Sequence, residues 1–451
     1  MALLEFRQSW ITPGTGEPEV SKTMSLLELH VGDTNLTKNE NIWSQSVQEN
    51  IVVSTYPLAI WCLQSWWRLI FEPLPPHGRT PTIDWRMAHE MAASSHGFVW
   101  PSVVFASDGE EIQIWSSPSD SKCQQSARYL NGLSAPASIA IKDFQNSITD
   151  FISKVVSRLE ATGLPHSELS ELWKIVLDEQ QDSESFTYRK LEAQMGFDPD
   201  ECPQDIMDYA IELRRRYGDA TLSELAPVYG KPTHVESLGA IENLTKAPGV
   251  IGRPSLPLPS TSTQNRRLAP WQKAVKDAQQ VRKAIGNERG PIDTRTLCDL
   301  LGIASVDVDK WVPAGRSSVS VGIPNPDNSI KFVPRKMHPI SKRFELARFI
   351  GDYLNGRQSR WLTNTDLGTA RQKYQRAFSA AFLCPLNGLL EFVQNDFSEE
   401  AIEDAAANFN VSYQTVTSLL ANNDLIDRTY HEGFPYRTNI AELHHLGEQA
   451  A

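Results

Sequence analysis

Between residues 229 and 269 the chain loses its apolar rhythm. The centre of that stretch, APGVIGRPSLPLPSTSTQNRRLAP (247–270), is rich in Pro, Ser and Thr. Proline fixes φ and removes a backbone donor, so a run of this kind reads as an extended linker. Such an interruption in a chain of 451 residues predicts separately cored pieces rather than one core.

Tryptophan usage supports the division. Eight of the twelve tryptophans, Trp10 to Trp115, precede residue 116, which marks an N-terminal piece with its own core. SLLELHVG (25–32) and NIVVSTY (50–56) have strand character. SVVFASDGEEIQIWS (102–116) predicts a hairpin, because two β-prone runs flank Asp108-Gly109, a favoured tight-turn pair. Leu58 to Ile70 and Trp85 to Ser95 read as helices. From about 138 the rhythm becomes helical, with apolar residues at three-to-four spacing in 141–159, 168–179 and 205–218, and Gly163 and Gly218 as helix ends. The expected layout is a Trp-rich α+β domain (1–135), a helical domain (136–228), a Pro/Ser-rich linker (229–267) and a C-terminal domain (268–451). The fold class is α+β and mainly helical.

Composition narrows the function classes. Hydrophobic content of 40% and charged content of 22% suit a soluble globular protein. A net charge of −12 argues against broad electrostatic binding to nucleic acid or an anionic membrane. Cys62, Cys123, Cys202, Cys298 and Cys384 are scattered and form no CxxC, which predicts a reduced, cytoplasmic setting without disulfides or a Cys-based zinc site. MALLEFRQSW lacks the form of a signal peptide, and YPLAIWCLQSWWRLIF (56–71) is too short and too polar to span a bilayer. No membrane partner is expected.

After the linker the chain becomes regular again. WQKAVKDAQQVRKAIG (271–286) and TRTLCDLLGI (294–303) predict helices, and VSVGIPNPDNSIKFVP (319–334) reads as strand, turn, strand. Helices follow at 340–355, 367–382, 385–395, 399–408 and 412–422.

This order of elements, over roughly 268–428, resembles the ImmA/IrrE family of zinc metallopeptidase-like proteins. The resemblance is carried by WQKAVKDAQQVRKAIG, LCDLLGI, SIKFVP, RFELARFIGDYL (343–354), RAFSAAFLCP (376–385) and AAANFNVSYQTVTSLLANNDLI (405–426). In RFELARFIGDYL, residues Arg343, Phe344, Leu346, Ala347, Gly351, Tyr353 and Leu354 match the family's active-site helix. The resemblance implies a zincin-like C-terminal domain. Active members often cleave or release repressors and act in stress responses or in the control of mobile elements.

A zincin helix sets two histidines four residues apart to grip one zinc, with a glutamate after the first as general base. Here the first ligand position is Arg348, the base position Phe349 and the second ligand position Asp352; the later acidic ligand aligns with Gln372. A phenyl ring accepts no proton, and arginine keeps its positive charge in a protein, which disfavours a divalent cation one helical turn away. The expectation is therefore a pseudo-active site with no catalytic residue, no metal and no cofactor. Two readings of it stand side by side. Arg348 and Asp352 can pair, with Gln372 and Arg376 completing a polar network that ties two helices where zinc would; or Arg348 points to solvent and the pocket has filled in.

Other candidates fit bland roles better. His89, Glu90 and His96 lack metal-ligand spacing, DPDE (198–201) lacks an EF-hand pattern, and Trp61, Trp66 and Trp67 suit a core better than an aromatic cage. His444, His445 and Glu448 read as an exposed tail. The helix-turn-helix rhythm of 398–420 lacks the basic residues of a DNA reader. The basic zone RKMHPISKRFELAR (335–348), GRQSRW (356–361) and ARQKYQR (370–376) reads as a solvated helix face. The leading expectation is an inactive zincin-like regulatory or sensing protein, bacterial and cytoplasmic, acting through a protein partner in stress response or phage defence. The alternatives are an atypical metallopeptidase using Asp352 and non-standard ligands such as the C-terminal histidines, and a DNA-binding regulator.

Overall fold

The computed structural model describes residues 4–76, 80–120, 125–231, 237–257, 268–308, 312–313, 317–355 and 361–426. They form two compact units that divide between Cys202 and Pro203. The division falls inside the segment read as a separate helical domain: Ile141–Ala161, Glu168–Gln181 and Ser183–Gln194 belong to the first unit, and Gln204–Tyr217 and Asp219–Tyr229 to the second. An apolar helix face records that a helix is buried, but not against which core.

The first unit is mixed α and β. Its largest sheet is antiparallel, with Met24–Val31 between the edge strand Leu4–Trp10 on one side and Thr34–Asn35 and Ile51–Ser54 on the other. The expected hairpin forms as Ser102–Ser107 and Glu111–Ser117, extended by Ala137–Ala140. Its turn is set by Asp108, whose Oδ1 accepts from the N–H groups of Glu110 (3.0 Å) and Glu111 (2.8 Å). The long helix Ile141–Ala161 packs on the large sheet through its regular apolar face, with Phe151 stacked on Phe6 at 4.6 Å. Trp61, Trp66 and Trp67 are buried in the core.

The second unit holds a four-stranded antiparallel sheet in the order Val250–Gly252, Ile330–Val333, Ser320–Pro324, Leu362–Asn364. The segment read as a linker is thus ordered in part: it carries the helix Gly239–Lys246 and the edge strand Val250–Gly252. A three-residue strand is too short to show a period, so only its pairing with Ile330–Val333 makes it one. Residues 258–267 lie outside the described residues.

Three packed helices lie at the centre of the second core. Pro339–Asn355 lies on the sheet, with Phe349 edge-on to Phe332 at 5.1 Å. It also packs against Ala370–Leu383, which packs in turn on Pro270–Ala284. Gly351 sets the first of these helix contacts, since a Cβ there would meet the Phe378 ring at 2.8 Å. Gly302 ends Thr294–Leu301 in the left-handed region (φ 63°), where a Cβ would strike the Arg253 carbonyl. Among the described residues no helix is long and apolar enough to cross a membrane.

Candidate functional site: a buried polar network on the central helix

The helix Pro339–Asn355 is buried on every face from Glu345 to Asp352, and its buried residues include the charged Arg343, Glu345, Arg348 and Asp352. Burying charge is costly unless every group finds a partner. For Arg348 and Asp352 the partners come from Ala370–Leu383, the strand Leu362–Asn364 and Thr365 just after it.

Arg348 is 4% exposed, which removes the reading that it points to solvent. It does not pair with Asp352 either. Its Nη2 donates to the Thr365 carbonyl (2.7 Å), to Gln372 Oε1 and to Gln375 Oε1 (3.1 Å). All three acceptors are neutral. Burial pushes the guanidinium down to about 9, and repulsion from Arg335 and Arg376 adds to the shift. It remains charged at neutral pH.

Asp352 is fully buried and takes a different partner. Arg371 grips it through two bonds of 2.7 Å, one to each oxygen, and the Thr363 N–H adds a third at 2.9 Å. Arg371 also donates to the carbonyls of Trp361 (2.8 Å) and Ala220 (3.1 Å). A forked pair of this kind is the strong form of ion pair.

Gln372 sits at the centre. Its Oε1 accepts from Arg348 and from the Thr365 N–H (2.9 Å); its Nε2 donates to the Thr363 carbonyl (2.9 Å) and to Glu224 Oε2 (2.8 Å). Thr369 also donates to Glu224, at 3.0 Å. Burial raises the Glu224 carboxyl above its ordinary value, with Arg371, Gln372 and Thr369 working the other way. The expected link from the central helix to Gln372 therefore exists, but Arg376 turns aside and donates to the Leu367 carbonyl at 3.0 Å. Phe349 is an apolar core residue against Phe332.

Sequence reasoning missed Arg371, Gln375 and Glu224. Arg371 was in view, inside the basic zone read as a solvated face. That reading is corrected here: the Arg335 and Arg371 side chains are 4% and 15% exposed, and Arg335 forks onto Asp366 at 2.7 and 2.8 Å. Residues 356–360 of that zone, and His444, His445 and Glu448, lie outside the described residues.

These side chains also close one edge of the sheet. Thr363 turns its N–H and carbonyl away from the sheet, and Asp352, Gln372 and Gln375 take them up. A bare strand edge invites pairing with another chain, and this one is stitched shut.

The fit to zinc is poor. Asp352 has both oxygens committed to Arg371, and Arg348 holds a positive charge one turn away. Among the described residues no group of three or more His, Cys, Asp or Glu side chains gathers to hold a metal. His89 is fully buried in the first unit, where its ring contacts the Phe105 carbonyl (2.8 Å) and Glu72 (3.0 Å) and stacks on Trp85. In DPDE, Asp198 and Asp200 answer Arg68 and Arg189. No protein-family profile matches the chain, and no curated protein matches it.

Proposed function

We propose that the second unit is a zincin-like scaffold of the ImmA/IrrE kind that has exchanged its metal for a hydrogen-bonded polar network, and that it serves as a regulatory or sensing module through binding to another protein. One observation carries this reading: the positions aligned with ligand, base and ligand hold Arg348, Phe349 and Asp352, and all three are buried and engaged in packing or bonding. The network joins the central helix to Ala370–Leu383 and to the strand Leu362–Asn364, where a metal would otherwise join helices. A stress-response or phage-defence setting follows from the resemblance alone.

The test is metal content and hydrolysis together. The purified full chain is expected to hold zinc well below one equivalent and to show no chelator-sensitive cleavage of denatured casein. Stoichiometric zinc with chelator-sensitive cleavage, both lost in Asp352→Ala, would overturn the reading in favour of an atypical metallopeptidase.

A further inference from the structure

The edge strand Leu4–Trp10 of the first unit contrasts with the sealed edge of the second. Its inner neighbour is Met24–Val31, with Glu5 opposite His30, Arg7 opposite Glu28 and Ser9 opposite Leu26. The Ile11 N–H donates to the Met24 carbonyl at 3.1 Å, which sets the parity of the ladder. In an antiparallel pair only alternate residues turn their backbone groups toward the partner. The odd-numbered residues of this strand face inward. Phe6, Gln8 and Trp10 therefore turn N–H and C=O outward, where no described strand pairs with them.

An open groove of about 500 Å3 lies beside that edge, between Gln8 and Trp10 of the strand and Lys154, Ser157 and Arg158 of the helix Ile141–Ala161. One polar group of its wall lacks a partner, and one cation lacks a counter-ion among the described residues. Both polar atoms of the Gln8 amide are buried without a hydrogen bond. Arg158 lies over the Trp10 ring at 5.4 Å and donates through Nε to the Lys22 carbonyl at 3.0 Å, and it forms no ion pair among the described residues. Lys154, by contrast, is neutralised by Asp150 at 2.6 Å.

We propose that this edge and its groove bind an extended peptide of a partner protein by strand addition, with an acidic side chain of that peptide meeting Arg158. Outward N–H and C=O groups at alternate residues are the complement of a strand backbone. One uncompensated cation selects one carboxylate. Proposed without reference to the second unit, this site stands or falls by itself.

Residue-resolved hydrogen exchange on the full chain is the first test. Phe6, Gln8 and Trp10 amides are expected to exchange fast while Arg7 and Ser9 are protected; equal protection of both sets would show the edge to be covered and overturn the proposal. The second arm adds a labelled, end-blocked heptapeptide of alternating valine and threonine with a central glutamate, followed by fluorescence anisotropy. Saturable binding that slows exchange at Phe6, Gln8 and Trp10 is expected. Gln8→Pro removes an outward donor without touching the inner ladder and should weaken binding at least tenfold. Arg158→Gln should abolish the preference for the glutamate peptide over its lysine counterpart. Absence of saturable binding, or binding indifferent to both variants, would overturn the proposal. Thermal melts of each variant separate loss of binding from loss of fold.

Discussion

Arg68 in the first unit and Arg348 in the second are both almost fully buried, yet one faces acids and the other faces amides. Arg68 bonds Glu72 at 2.6 Å, Asp84 at 3.0 Å and Asp198 at 3.1 Å. Burial lowers its guanidinium, and the carboxylates outweigh that and raise it above its ordinary value. Arg348 has only neutral acceptors, and the nearby charges of Asp366 and Glu345 offset burial and its arginine neighbours only in part. Arg282 and Arg343 follow the Arg348 pattern, since their bonds go to carbonyls, a side-chain amide and a hydroxyl. Arg68 thus collects negative charge in the first unit. In the second unit Arg282, Arg343 and Arg348 hold neutral oxygens in place, while Arg335 and Arg371 take the carboxylates.

The largest effects fall where removing one partner strands a charge. Arg68→Met leaves Glu72 buried with His89 as its remaining partner and should cost about 3 kcal/mol. Denaturant melts followed by tryptophan fluorescence report this, because Trp61, Trp66 and Trp67 lie in the same core. Asp352→Ala strands Arg371 in the second unit and should cost a similar ~3–5 kcal/mol, read as faster exchange along Pro339–Asn355.

Arg348→Met sharpens the comparison directly. It removes a buried charge that has no carboxylate partner, so only neutral acceptors are left unpaired, and the cost should be about 1–2 kcal/mol. A loss as large as that of Arg68→Met would break the contrast.

The smallest effects are slopes with pH, and they run in opposite directions. Burial raises the Glu72 carboxyl, but its bonds to His89 and Arg68 prevail and hold it below 4.5. Its contribution is present above the unfolded value and is lost as pH falls through the folded one. Glu224 is raised above 4.5 by burial. Its contribution is complete below the unfolded value and is lost as pH rises through the folded one. Stability measured against pH should therefore fall toward acid for the first unit, and Glu72→Gln should flatten that slope. For the second unit Glu224→Gln should remove a decline with rising pH. Parallel slopes would show that the two acids do not differ as described.

How much of this was legible beforehand follows from range. The Asp108-Gly109 hairpin and the capped helix Thr294–Leu301 were readable because turn chemistry acts over a few residues. Gly351 was flagged by resemblance, and its physical reason is contact with Phe378 from another helix. Arg371 and Glu224 were not readable. Polar residues in helices carry no local mark of facing inward, and Glu224 lies 148 residues before the Gln372 amide that it meets.

By itself the sequence determined the chemistry of the residues that matter: Arg348 and Phe349 hold a guanidinium and a phenyl ring, and no fold alters what either can do. Only the tertiary structure decided what those residues do instead. Partner choice for a buried charge depends on which groups long-range packing brings within about 3 Å. That choice separated Arg348 from Asp352, gave Asp352 to Arg371, and closed one sheet edge while leaving the described edge of the other unpaired.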